Sequence, residues 1–200
     1  AAAPVTAPGG AVVASGQTVE CGAQQVKGDP YAPPCYKFGG GNNGGSTSLG
    51  VTADTINITI REGTFDKGVI DVISKAALKQ GASNVLAGET AESGNETILG
   101  LIDYFNARYE FYGRKLKLVI YNGKGDVLKE TTGGGQEGAQ ADALKVAQEI
   151  QAFADVSAVS PVYADALASK QVVNIGVPFT SREWMSQRRP YSWSQFTDCS

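Results

Sequence analysis

Histidine is missing from all 200 residues. That one absence excludes Ser-His-Asp and Cys-His nucleophilic chemistry, histidine-ligated zinc and a histidine general base. Positive charge is also short, with 17 Lys and Arg against 20 Asp and Glu, a net charge of −3. Nucleic-acid-binding surfaces are normally basic, so no nucleic-acid partner is expected. No apolar run approaches the ~20 residues that span a bilayer. Cysteine is scarce, at three, with no C-x-x-C pair beside it, so neither a metal nor a cofactor is expected.

Glycine, by contrast, is plentiful at 25 residues, above the usual ~7%. Residues 1–50 hold 11 Gly and 5 Pro but only four charges, Glu20, Lys27, Asp29 and Lys37. The opening AAAPVTAPGGAVVASG has small residues and no periodicity, and reads as a disordered or loop-rich tail that cannot bury enough surface to order itself. It lacks the charged and apolar regions of a signal peptide. An exported chain whose signal has been removed begins this way, and so does a linker behind a lipid anchor. Cys21 and Cys35 bracket the turn-rich stretch CGAQQVKGDPYAPPC. A disulfide there, contributing ~3 kcal/mol, is expected ahead of two free thiols. Cys199 is then left over, which suggests that the natural chain continues. GGGNNGG at 39–45 reads as a linker. The chain thus divides into a Gly/Pro-rich tail and disulfide loop over 1–50 and a folded part over 51–200.

From Leu49 the pattern changes. TINITI (55–60) alternates Ile56, Ile58 and Ile60 with polar residues, which is strand periodicity. VIDVISKAALKQ (69–80) has a helical apolar face and stops at Gly81. Ser93 and Glu96 have capping-box spacing and open a second helix that runs to about Gly113. KLKLVIY (115–121) is a strand, and Lys115 and Lys117 mark one wet face near a sheet edge. A helix over 139–153, a strand over 156–160, a helix over 162–170 and a strand over 172–177 follow. Strands alternating with helices predict an α/β fold, a parallel sheet with helices on both faces.

Ligands of open α/β sheets sit beyond the carboxyl ends of the strands. The segments to inspect are therefore 61–65, 122–126, 160–163 and 178–184. Ser160 stands between a strand and a helix start, where its hydroxyl and free backbone N–H groups suit a carboxylate. The competing role is capping of its own helix, with Pro161 at the first position. Thr180 and Ser181 place two hydroxyls after the next strand, or else form an ordinary polar loop. Gly133, Gly135 and Gly138 satisfy G-x-G-x-x-G but follow the strand by too many residues for a dinucleotide site, and read as a flexible insertion. Arg188 and Arg189 beside Tyr191 and Trp193 read as a surface turn over packed aromatics. An enzyme working through Asp126, Glu62 or a cysteine is disfavoured, since no paired motif accompanies them.

Taken together, GVTADTINITIRE, YFNARYEFYGRKLKLVIYN, ADALKVAQEI and VVNIGVPFTSREW resemble the type I periplasmic binding proteins. More narrowly, they resemble the branched-chain amino acid (Leu/Ile/Val) receptor-like substrate-binding proteins of ABC importers, in the actinobacterial form, over about residues 49–185. The resemblance implies an extracytoplasmic, two-lobed protein that closes on a small solute such as an amino acid and meets an ABC permease. This chain would supply the first lobe. The family's ligand loops fall on Ser160 and on Pro178, Thr180 and Ser181, with Tyr163 or Trp184 covering the apolar part of the solute. The second lobe and return strands of the family are not seen, a glycine-rich stretch lengthens 131–138, and Phe179, Arg182 and Trp184 suit an aromatic or anionic solute equally. A surface-exposed binding scaffold or ligand-sensing module without a transport role is the alternative.

Overall fold

The structure, a computed structural model, describes residues 11–12, 18–19, 25–34, 38–62, 91–177 and 180–194. The helix expected over 69–80, all three cysteines with the expected Cys21–Cys35 bridge, and Pro178 and Phe179 lie outside the described residues. A two-residue pair, β1 (Ala11–Val12) and β2 (Thr18–Val19), runs antiparallel ahead of the main sheet.

TINITIRE forms the central strand, β3 (Thr55–Glu62). Helix α1 (Ala91–Arg108) follows and starts ahead of the Ser93 and Glu96 pair, which therefore lies inside its first turns rather than at its end. Strand β4 (Lys115–Asn122) pairs with β3 in parallel register from Thr55 opposite Lys115 to Glu62 opposite Asn122. A short α2 (Val127–Thr131) and then α3 (Gln136–Leu144) come next, and α3 continues as a π-helical turn over Lys145–Ile150. Strand β5 (Ala154–Asp155), α4 (Pro161–Ser169), β6 (Val173–Ile175), α5 (Arg182–Gln187) and β7 (Ser192–Trp193) complete the order.

All five strands of this sheet are parallel, in the order β4-β3-β5-β6-β7. This is the α/β fold expected from the alternating pattern. The chain steps one way from β3 to β4 and the other way from β4 to β5. Right-handed crossovers then put α1 on one face of the sheet and α3 and α4 on the other. The strand order reverses at β3, which leaves a crevice at the carboxyl ends of β3 and β5.

The buried apolar cluster is built largely of alanine: Ala139 and Ala143 on α3 meet Ala164, Ala166 and Leu167 on α4, with Val146 and Val177 beside them. Small side chains let helix backbones approach closely, and interiors packed to crystal density leave no room for larger ones. Among the described residues β4 is an edge strand, as Lys115 and Lys117 suggested. Its open side is partly covered by Asn106 of α1, whose side-chain amide donates to the Leu116 carbonyl at 2.9 Å and accepts from the Leu116 N–H at 2.8 Å.

The glycine run expected as a linker is folded. Buried Arg114 donates to the carbonyls of Thr52 at 2.7 Å, Asn43 at 2.8 Å and Gly45 at 2.9 Å. The Asn43 side chain donates to Ala53 and Tyr112 carbonyls at 2.7 and 2.9 Å. Gly50, at φ 69°, lies so close to the 151–153 backbone that a Cβ would fall 2.5 Å from the Ala152 carbonyl carbon. One cation holding three carbonyls supplies the order that glycine composition alone opposes.

Candidate functional site

The three isoleucines of β3 share one face, and Thr59 and Arg61 point to the other. That second face is not wet: Thr59 is fully buried and Arg61 is 1% exposed. Because parallel register partners point the same way, Thr59, Asp155, Asn174 and Ser192 form a polar row across β3, β5, β6 and β7, all at 0% exposure. Tyr121 of β4 joins it beside Arg61.

At the carboxyl end of β3 this row becomes an ionic cluster. Arg61 grips Glu130 through both ends of its fork, Nη1 to Oε1 at 2.8 Å and Nη2 to Oε2 at 2.7 Å. Nη1 also reaches Asp142 Oδ2 at 3.2 Å. The guanidinium carbon stands 3.8 Å from the Tyr163 ring centre, so the fork is stacked as well as bonded. Asp142 is held independently by the backbone N–H groups of Lys124 at 2.7 Å and Gly125 at 2.8 Å. Burial alone would lower the Arg61 pKa, but the hydrogen bonds and charge of Glu130 outweigh it and hold the group above its usual value.

Asp155 is the other anchor. Its Oδ1 accepts from the Ser157 N–H and hydroxyl, both at 2.8 Å, and its Oδ2 from the hydroxyls of Thr59 at 2.9 Å and Tyr163 at 3.0 Å. Since Tyr163 spends its proton on Asp155, the 2.6 Å contact between the two tyrosine oxygens has Tyr121 as donor. The chain of bonds therefore runs Tyr121 to Tyr163 to Asp155. Burial pushes the Asp155 pKa up against the donors that oppose it, and pushes both tyrosine hydroxyls above their ordinary values. The cluster holds one cation, Arg61, among three carboxylates, Glu130, Asp142 and Asp155.

The residues singled out from sequence fall into two groups. Ser160 and Tyr163 are inside the cluster, both at 0% exposure. Ser160 caps α4 by accepting from the Tyr163 N–H at 3.2 Å, and donates its only proton to Glu130 Oε2 at 2.6 Å. Its hydroxyl therefore has no proton left for a ligand while Glu130 is in place. Thr180 is buried, and Ser181 caps α5 by accepting from the Trp184 N–H at 3.1 Å. The Trp184 ring carries the Arg188 guanidinium at 4.0 Å, and Trp193 carries that of Arg189 at 3.6 Å. Among the described residues no hydrogen bond ties Thr180, Ser181 or Trp184 to Ser160. Asp126, a carboxylate weighed for catalysis, caps α2, and the Lys129 N–H at 3.1 Å holds its pKa down.

The glycine motif is structural. Gly135 begins α3 at φ 69°, and a Cβ on Gly138 would lie 2.9 Å from Gly125 Cα. Helix α3 thus sits directly on the 123–125 backbone, leaving no open loop for a phosphate. Arg61, Glu130, Asp142, Tyr121 and Asp155 carry the cluster, and sequence reasoning gave none of them a role. The available signal was Arg61 itself, a charge near the carboxyl end of an alternating strand, at the point where ligands gather.

Elsewhere, a depression of about 390 Å³ lies between α4 and the turn after α5, lined by Asp165, Ser169, Gln187, Arg188, Arg189 and Tyr191. Its Arg188 is engaged by Asp165 at 2.6 Å. Among the described residues, no group of three or more His, Cys, Asp or Glu is placed to hold a metal ion, and no helix is long and apolar enough to cross a membrane. No protein-family model, curated protein or solved structure matches the chain.

Proposed function

We propose that this chain is a solute-binding module of the extracytoplasmic, ABC-importer type, receiving a small solute such as an amino acid at the carboxyl edge of its sheet and passing it to a membrane permease. One observation carries the reading: the strand order reverses at β3, and polar side chains from β3, β4, β5, α3 and α4 converge there. The resemblance of the 49–185 segment to type I periplasmic binding proteins supports it. The reading assigns contact with the solute to Ser160, Tyr163, Thr180, Ser181 and Trp184, of which Ser160 and Tyr163 are fully buried and meet it only when the cluster opens.

A second reading has its own support. The cluster at the reversal is filled by the chain's own side chains, as in a surface scaffold or ligand-sensing module that no longer transports. A calorimetric screen of the twenty amino acids against the whole chain separates the two. One lobe offers only half of an enclosing cleft, so transport-type binding predicts weak, saturable heat at millimolar concentrations for a chemically related subset. No heat with any amino acid at those concentrations overturns the solute reading and leaves the scaffold.

A further inference from the structure

We propose that Arg61 and Ser160 form a carboxylate-binding site which the chain closes with its own Glu130, and that α2 is a strap whose carboxylate exchanges with that of a solute. This rests on the solute-binding reading and adds the chemical group that the edge takes.

The geometry is that of a carboxylate receptor. Glu130 Oε2 receives Arg61 Nη2 at 2.7 Å and Ser160 Oγ at 2.6 Å, and Oε1 receives Arg61 Nη1 at 2.8 Å. A planar fork plus a third donor is the arrangement that reads carboxylates by shape as well as charge. The walls are backbone and ring: Tyr163 stacks under the guanidinium, and a Cβ on Gly125 would overlap both Arg61 Nη1 and Glu130 Oε1. Free carboxylate, α-amino acid or short-chain acid present the same two oxygens.

The segment that carries Glu130 is anchored at two points only. Of the five residues of α2 only Val127 and Glu130 are buried, while Leu128, Lys129 and Thr131 are exposed. Glycines bound it, Gly125 before and 133–135 after, with Gly133 at φ 85° and Gly135 at φ 69°. A segment with two buried anchors opens locally at a fraction of the global unfolding free energy. Exchange also conserves charge. When Glu130 swings to water and another carboxylate enters, Arg61 keeps Asp142, which the Lys124 and Gly125 amides hold in place.

Two measurements on the whole chain test this. Glu130→Ala empties the receptor, and sodium acetate or propionate should then recover most of the lost melting temperature in a saturable way, beyond matched sodium chloride. Glu130→Gln, which still fills the space, should show no such recovery. A folded Glu130→Ala that responds to acetate no more than to chloride overturns the proposal, even if amino acids bind the wild-type chain. In the wild type, high acetate should speed amide hydrogen exchange over 127–132 at least severalfold, relative to chloride, with β3 unchanged. If Glu130→Ala fails to fold in acetate and this exchange is also unmoved, α2 is a fixed structural brace and the proposal is wrong.

Discussion

Replacing Arg61 by methionine removes the cation that pairs with Glu130 and Asp142 and leaves a shorter, unbranched apolar side chain in its place. Arg61 is 1% exposed and its partners Glu130 and Asp142 are equally inaccessible. The two carboxylates do not lose equally. Asp142 retains two backbone N–H donors, whereas Glu130 keeps only the Ser160 hydroxyl. An uncompensated buried charge of that kind costs about 3–5 kcal/mol, a large part of the ~5–15 kcal/mol by which domains are stable. Removing the stranded carboxylate as well, in Arg61→Met with Glu130→Met, should restore at least ~2 kcal/mol, since two apolar side chains then pack where an ion pair stood. Urea unfolding followed by far-ultraviolet circular dichroism and by Trp184 and Trp193 fluorescence gives both values from the midpoint at constant slope. The reasoning fails if Arg61→Met costs under about 1 kcal/mol, or if the double variant is no more stable than the single one.

Ser160→Ala removes the α4 cap and one of three donors to Glu130, so thermal unfolding should show a loss of about 1–3 kcal/mol; an unchanged melting temperature would argue that Ser160 serves a ligand instead. Ser192→Ala should be neutral or stabilising by up to about 1 kcal/mol, because its buried hydroxyl has no hydrogen-bond partner among the described residues. Asn106→Leu strips both bonds from the open edge of β4; sedimentation should show self-association rising with concentration, and a strictly monomeric variant would mean that the edge is guarded otherwise. Asp155 has its pKa raised by burial, so the folded chain binds its proton more readily than the unfolded one. The stability this contributes is complete below the unfolded value of about 3.9 and is lost as pH rises through the folded value. The wild-type advantage over Asp155→Asn should therefore shrink as pH is raised from about 4, and an advantage that grows with pH would reverse the assignment.

The order of elements was legible because it is written locally. Alternating isoleucines at 56, 58 and 60, lysines at 115 and 117, and Pro161 behind Ser160 each report on their own segment, and β3, β4, β6 and α4 follow to within a few residues. The strand expected over 156–160 lies instead at Ala154–Asp155, and β7 falls within the expected surface turn. Shorter pieces escaped. Asp126 as the cap of α2 and Ser181 as the cap of α5 are local signals too, but helices of five and six residues present too little periodicity to register. The glycine run at 39–45 reads as a linker for a different reason. Glycine-rich composition reports only the entropy opposing order, whereas the order comes from Arg114, more than sixty residues away.

The cluster shows why a site is harder to read than the fold that holds it. In β3 the alternation of isoleucine with threonine and arginine looks like one buried face and one wet face. The polar face is instead buried, and what makes this tolerable is a set of partners at separations of 69 for Glu130, 81 for Asp142 and 96 for Asp155. No window of the sequence contains them together. The strand-end rule located the right edge, and Ser160 and Tyr163 do lie on it, because topology sends every parallel strand's carboxyl end to the same side. What topology leaves open is which groups fill that edge. Here α2, followed by the glycines at 133–135, places Glu130 so that it takes the Arg61 fork and the Ser160 proton together. The same hydroxyl that caps α4 thereby joins the helix to the ionic cluster, so the stability of the edge and its capacity to receive a carboxylate depend on one set of hydrogen bonds.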